Sequence, residues 1–223
     1  MIRTIVFDMD GTLIDSEALI LDAWKEIAAQ NQIADIEQTL IKCIGINTKE
    51  TKAVFRQTYG NDFPYEKYSK MASALYRAEI DKNGLPVKPG VYELFDFLKE
   101  NRYRIGLASS TRVDLVKSEM ENIGLLDAFE VVVGGDMVSH SKPHPEIYLK
   151  SCELLGASPC DCYAVEDSPN GIRSAYHAGM KVLMVPDLLP SDAELLKLLY
   201  KECKDLLEVK QLLAEEINGL SVS

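Results

Sequence analysis

The sequence predicts an α/β protein built on a doubly wound parallel sheet, with a second, all-helical unit inserted into it. Three observations predict this. Short apolar runs of strand length recur at 4–7, 105–108, 131–133, 163–165 and 182–185. Segments with helical periodicity lie between the later runs, at 91–99, 113–123, 146–155 and 171–178. Strands apolar along their whole length are buried on both faces, and their alternation with helices is the pattern of parallel strands joined by helical crossovers. The third observation is the stretch 16–84, which holds several helical patterns and no strand pattern. A length of 223 residues, at roughly 150 per domain, fits one large domain carrying an insert.

Taken in order, the first strand runs Thr4, Ile5, Val6, Phe7 and stops abruptly at polar residues and Gly11. Within the insert, Leu21, Trp24 and Ala28 share one helical face. Asn47 and Thr48 can cap a second helix that ends at Tyr59, just before Gly60. Tyr68, Met71 or Ala72, and Leu75 share a face of a third helix, followed by Gly84. Core packing is the expected role of Trp24, Tyr68 and Met71. The chain returns through Leu85-Pro86-Val87-Lys88-Pro89-Gly90, a turn-rich connector. The expected organisation is therefore a core of residues 1–15 and 85–223 around an insert of residues 16–84, with hinges near 14–17 and 85–88. Beyond residue 185, Ser191-Asp192-Ala193-Glu194 has capping-box spacing ahead of the apolar run 195–200, and a last amphipathic helix is expected over 206–217.

Lys plus Arg number 24 against 35 Asp plus Glu, a formal net charge of −11. That balance argues against a nucleic-acid binder, which needs cations to displace phosphate counterions. It leaves small anions open, because one local cation or metal reverses the sign of a pocket. The acid at position 8 arrives too early for a signal peptide, and no apolar run approaches the ~18 residues of a spanning helix, so a soluble, cytoplasmic protein without a membrane partner is expected. The five cysteines read as reduced thiols, and Cys160-Asp161-Cys162 fits no common zinc spacing. Oligomeric state has no signature in the sequence.

The chemistry gathers at the strand ends. Asp8-Met9-Asp10-Gly11-Thr12-Leu13 follows the first strand, and two acids one residue apart project to the same side of an extended chain. In an open parallel sheet, ligands bind at the carboxyl ends of the strands. After the second strand comes Ser109-Ser110-Thr111, whose hydroxyls and backbone N–H groups can hold phosphate oxygens at a helix N-terminus. Lys142 lies in Ser141-Lys142-Pro143-His144-Pro145 after the third, and Glu166-Asp167-Ser168-Pro169-Asn170-Gly171 ends the fourth. Each alone has a plainer reading: a calcium loop or acidic turn, a helix cap, a solvated lysine. Their order, each at a strand end, makes the set specific.

With these motifs the chain resembles the haloacid dehalogenase superfamily, in its phosphatase-type branch with a helical cap, and most of all the group containing β-phosphoglucomutase and small-metabolite phosphatases. The resemblance covers nearly the whole chain. It implies that Asp8 is the nucleophile, forming an aspartyl phosphate, and that Asp10 protonates the leaving alcohol and then takes a proton from water. It also implies Mg²⁺ held by the Asp8 carboxylate, the Asp10 main-chain carbonyl and Asp167, with Glu166 direct or through water. Ser109 and Lys142 would hold the phosphoryl oxygens, and Lys142 would also restrain two crowded carboxylates. Asp10 must have its protonated form favoured, which predicts a side chain directed away from the metal.

The second Asp and the acid pair at 166–167 argue against dehalogenase chemistry, which has no alcohol to protonate. The mutase branch usually carries a His where Ile20 aligns and an Arg where Thr48 aligns. Both departures favour hydrolysis of a sugar, polyol or nucleotide monophosphate. Phosphosugar mutation and non-catalytic phosphate binding are the alternatives. Gly45, Asn47 and Thr48 are the candidate specificity residues of the cap; Lys70 and Arg77 read as exposed helix-surface charge.

Overall fold

A computed structural model of the chain describes residues 3–219. Among them, strands β1 (Thr4–Phe7), β2 (Arg104–Ala108), β3 (Val131–Val133), β4 (Cys162–Glu166), β5 (Lys181–Met184) and β6 (Lys201–Glu202) form one sheet. Their order is β3-β2-β1-β4-β5-β6, and every neighbouring pair is parallel. Five of these were expected; β6 was not. It is two polar residues long, and it pairs because Tyr200 N–H donates to the Val182 carbonyl at 2.8 Å and Cys203 N–H to Met184 at 2.7 Å. No local pattern announces so short a strand.

Four helices make the insert: α1 (Ser16–Asn31), α2 (Ile36–Ile41), α3 (Thr48–Tyr59) and α4 (Tyr65–Asn83). Asn47 caps α3, its side chain accepting from Glu50 N–H at 3.0 Å. The remaining helices, α5 (Val91–Glu100), α6 (Val113–Asn122), α7 (Glu146–Leu154), α8 (Pro169–His177) and α9 (Leu206–Ile217), cover the sheet. Alternation along β1 sorts them. Ile5 and Phe7 belong to a cluster with Leu94, Leu98, Met120 and Leu213, whereas Val6 belongs to another with Ile147, Tyr148, Ile172 and Ala175. Both sheet faces are therefore buried, as the unbroken apolar runs require.

The insert keeps a third hydrophobic cluster to itself, with Trp24, Ile27, Phe55, Tyr65 and Ala72 at its centre and Tyr68, Met71 and Leu75 packed against it. The two connectors between insert and core lie side by side. Ile14 bridges Val87, Asp15 N–H donates to Pro86 at 2.9 Å, and Lys88 N–H donates to Leu13 at 2.9 Å. The capping box expected at 191–194 is not the cap that forms. Asp192, not Ser191, accepts the N–H groups of Glu194 and Leu195, at 2.9 and 2.8 Å, and the apolar run after it makes a 3₁₀ turn, Leu195–Leu198, before the chain extends into β6. Asp192 can serve two amides of one tight turn, which spends the donors an α-helical box would use.

Candidate active site

β1 is central, and the chain leaves it in one direction for β2 and β3 and in the other for β4, β5 and β6. The crevice above its carboxyl end is the switch point of the sheet. Asp8 stands there, its N–H still in the ladder through Val165 O at 3.0 Å. Its Oδ1 accepts from Lys142 Nζ at 2.5 Å. The same ammonium donates to Glu166 Oε1 at 2.7 Å and to the Ala108 carbonyl at 3.1 Å, so all three of its protons are spent. Lys142 is 1% exposed. Tyr148, on α7, donates its hydroxyl to Glu166 Oε1 at 2.5 Å, and Ser168 donates to the other oxygen at 3.2 Å. Asp167 accepts from Thr12 Oγ1 at 3.1 Å.

Two glycines make room for these carboxylates. A side chain at Gly171, in the first turn of α8, would collide with the Glu166 carboxylate. Gly11 has φ +80°, and a side chain there would meet the carboxylate of Asp167. The Gly of the first motif and the Gly of the last are thus packing demands of the acids themselves.

Asp8, Glu166 and Asp167 are all buried and bring one carboxylate oxygen each within 4.8 Å of one another. Burial, opposed by Lys142 but reinforced by Glu166 and Asp10, pushes Asp8 up to about 8. Burial, then Glu17 and Glu166, hold Asp167 well above the usual carboxylate range. Burial works against the Lys142 ammonium, but Asp8 and Glu166 outweigh it and hold it above its ordinary value. One lysine does not neutralise three buried carboxylates. Glu17, Asp167 and Asp187 form an adjoining acidic group within the same 4.8 Å limit, and Glu17 Oε2 and Asp187 Oδ2 are buried without a hydrogen-bond partner in the protein. The donor set is hard, anionic and all oxygen, which fits an oxygen-seeking divalent cation.

The carboxylate of Asp10 takes no part in that cluster. It turns instead to hydroxyls: Ser16 donates to Oδ1 at 2.5 Å, Thr111 to Oδ2 at 2.9 Å, and Ser109 to Oδ2 at 3.4 Å. Asp8 and Asp10, two residues apart, therefore occupy unlike surroundings. Ser109 also accepts from Thr111 N–H at 3.0 Å.

The cap loop is held by the strand-end loops of the core. Ser110 Oγ donates to Gly45 O at 3.0 Å, Asn170 Nδ2 to Ile44 O at 3.2 Å, and Asn47 N–H to Ser141 Oγ at 3.1 Å. Ser110 thus spends its hydroxyl on the cap, and the Asn47 side chain is spent on α3. Cys43, Gly45 and Ile46 line the main cavity, and Thr48 lines an adjoining one. The main cavity, about 510 Å³, lies between cap and core, with Asp8 and Asp10 on its core side and Ile20, Tyr76 and Arg77 on its cap side. Arg77 is exposed, yet it borders that cavity.

Sequence reasoning missed several residues here. Tyr148 stands near a motif residue that was singled out, and Glu17 lies shortly after the first motif at the start of α1; Thr111 was named for phosphate oxygens, but its bond to Asp10 was not foreseen. Tyr76 and Glu119 had no signal at all: they sit on amphipathic helices of different units and meet across the cavity at 3.0 Å. Burial, then the nearby Asp10, push Glu119 up to about 7. Cys160 and Cys162, by contrast, do not converge; one is exposed and the other buried.

Residues 5–185 match the model of a family described as haloacid dehalogenase-like hydrolase. The chain belongs to that family. Hexitol phosphatase B of Escherichia coli K12 is 31% identical over 186 residues, 81% of this chain and 82% of its own length. Beta-phosphoglucomutase of Bacillus subtilis is 30% identical over 185 residues, 80% of each chain. The crystal structure of beta-phosphoglucomutase from Clostridium difficile superposes with a TM-score of 0.80 at 25% identity, covering 98% of both chains. Among the described residues, no helix is long and apolar enough to cross a membrane.

Proposed function

We propose that the chain is a Mg²⁺-dependent phosphatase of small phosphorylated metabolites that works through an aspartyl phosphate on Asp8. The observation that carries this is the contrast between two neighbouring carboxylates. Asp8 is ion-paired to buried Lys142 inside the acidic cluster, and Asp10 is turned out of it toward three hydroxyls. Asp8, beside Lys142, is placed to meet phosphorus, and Asp10, outside the cluster, is placed for the proton transfers at the leaving oxygen and at water.

In the first step an Asp8 oxygen forms a bond to phosphorus while the ester P–O bond breaks, and the departing alkoxide takes its proton from Asp10. In the second, water attacks the phosphorus of the acyl phosphate, Asp10 takes the water proton, and the P–O bond to Asp8 breaks to release phosphate. Lys142 restrains Asp8 and Glu166 and offers positive charge to the phosphoryl oxygens, with Ser109 beside them. Asp8, Asp167 and Glu166 (direct or through water), with the Asp10 main-chain carbonyl, would hold Mg²⁺. When bound it supplies charge neutralisation between an anionic nucleophile and an anionic substrate. The paired connectors at Ile14 and Val87 suit a hinge on which the cap, residues 16–84, closes over the substrate and excludes water.

Hydrolysis is favoured over mutation because Ile20, where the mutase branch has a polar residue, presents an apolar wall to the cavity. The similarity to hexitol phosphatase B supports a small polyol or sugar monophosphate as substrate. The deciding experiment measures phosphate release across a panel of monoesters, beside conversion of β-glucose 1-phosphate to glucose 6-phosphate. Release that stops on chelation and returns with Mg²⁺ is expected. Isomerisation outrunning release would overturn the hydrolase reading, and full activity in chelator would overturn the metal.

A further inference from the structure

The loop that delivers Lys142 also carries two histidines on its other side. Lys142 points inward and is buried, whereas the side chains of His140 and His144 are 65% and 51% exposed. Their rings approach to 4.5 Å between centroids. Between them sits Glu146, the first residue of α7, whose Oε2 lies 2.8 Å from His140 Nδ1 and 3.9 Å from His144 Nδ1.

We propose that His140, His144 and Glu146 form a solvent-facing site for a borderline divalent transition-metal ion such as Zn²⁺, separate from the buried carboxylates. The donor set is the first reason. Two imidazoles and one carboxylate suit Zn²⁺, Ni²⁺ or Cu²⁺ and are a poor match for Mg²⁺, which prefers oxygen. Spacing is the second. Ligands about 2.1 Å from a tetrahedral ion stand about 3.4 Å apart, and the two measured separations bracket that value. One ligand atom from each residue falls within 4.8 Å of the others, so small side-chain rotations close the site.

Preorganisation is the third reason. Glu146 is fixed by two backbone amides, Ser139 N–H on Oε1 at 2.8 Å and His140 N–H on Oε2 at 3.0 Å. The Ser139 amide, with the His140 ring, holds this carboxyl down to about 2, so it is ionised at any working pH. His144 Nδ1 accepts a long hydrogen bond from Glu146 N–H at 3.3 Å, which an ion bound at Nδ1 would displace. The His144 carbonyl is tied to Ser174 on α8 at 2.7 Å, which anchors the loop. An ion here would join the two ends of the segment that carries Lys142 and the Ser141 contact to the cap. The site leaves open coordination positions for water.

The test is Zn²⁺ binding to the full chain in excess Mg²⁺, which occupies the buried carboxylates, and in a Cys160→Ser background, which removes the exposed thiol. One Zn²⁺ per chain is expected, with a rise in Tm. Affinity should fall in His140→Ala, His144→Ala and Glu146→Gln, each by more than the roughly tenfold that losing an outer-shell partner costs. The chain has three histidines, so His177 on α8 is an internal control. Zinc should shift the ring NMR signals of His140 and His144 and leave His177 alone. No binding, unchanged affinity in the two histidine variants, or equal shifts of all three histidines would overturn the site.

Discussion

The two walls of the cavity are made on different terms. On the core side, Asp8, Lys142, Glu166 and Asp167 stand at or beyond the ends of three strands; Lys142 ties Asp8 and Glu166 together by bonds of 2.5 and 2.7 Å, and Asp167 accepts from Thr12 at 3.1 Å. On the cap side, the chain offers Ile20, Cys43, Gly45 and Ile46, with Tyr76 and Arg77 on α4. The core wall rests on a sheet packed on both faces. The cap wall rests on an aromatic cluster of its own and is joined to the core by two paired connectors and a few loop contacts. The proposed mechanism divides labour along this line: the sheet would hold charges that must not move, and the cap would hold groups that part to admit substrate.

The sharpest way to break this comparison is Asp8→Asn. Phosphate release should fall by about 10⁴-fold or more, the scale on which losing a nucleophile acts, with an unchanged circular-dichroism spectrum. Retained turnover would mean that the core wall does not hold the reacting carboxylate.

Lys142→Ala should do double damage. It leaves Asp8 and Glu166 buried without their shared cation, a loss of about 3–5 kcal/mol in denaturant unfolding, and it also removes activity. If stability is untouched, the cluster is not held together as described. On the cap side, Phe55→Ala empties the centre of the aromatic cluster and should cost about 3 kcal/mol. Hydrogen exchange should then rise in α1, α3 and α4 before it rises in β1 or β4; a uniform rise would show that cap and core unfold as one unit.

The smallest expected effect concerns the contact between the walls. Glu119 has an ordinary value of 4.5 and is raised to about 7 in the fold. Below 4.5 it is protonated folded and unfolded alike; between 4.5 and about 7 only the unfolded chain ionises, so stability falls as pH rises through that window and levels off above it. Glu119→Gln should flatten that part of the stability–pH curve. Tyr76→Phe, which deletes the bond to Glu119, should change KM by a few-fold and leave kcat nearly alone.

Some of this was written locally. The five longer strands follow from unbroken apolar runs, because a strand buried on both faces has no polar alternation to hide it. Three of the cap's helices, α1, α3 and α4, follow from their periodicity, whereas α2, six residues long, is too short to show one; Asn47 was legible as a cap because the N-terminal amides of a helix demand such a side chain. The strand-end motifs were legible for a related reason: Asp8 and Asp10, Lys142, and Glu166 and Asp167 each end a strand, directly follow one or lie in the loop beyond it. β6 was not, because two polar residues carry no period.

What only the tertiary structure decided is which groups share an environment. The resemblance implied that Lys142 restrains two carboxylates, but nothing near it in the chain says that they are Asp8 and Glu166, which stand 134 and 24 residues away. Ser110 reads like Ser109, yet its hydroxyl goes to the cap, while Thr111 takes Asp10. Tyr76 and Glu119 lie on helices of separate units and become neighbours only when the connectors bring the cap down. The sequence by itself determined the scaffold and the acids at its carboxyl edge, because burial and periodicity act over a few residues. The fold decided the surroundings and partner of each acid, because both depend on distances between segments far apart in the chain.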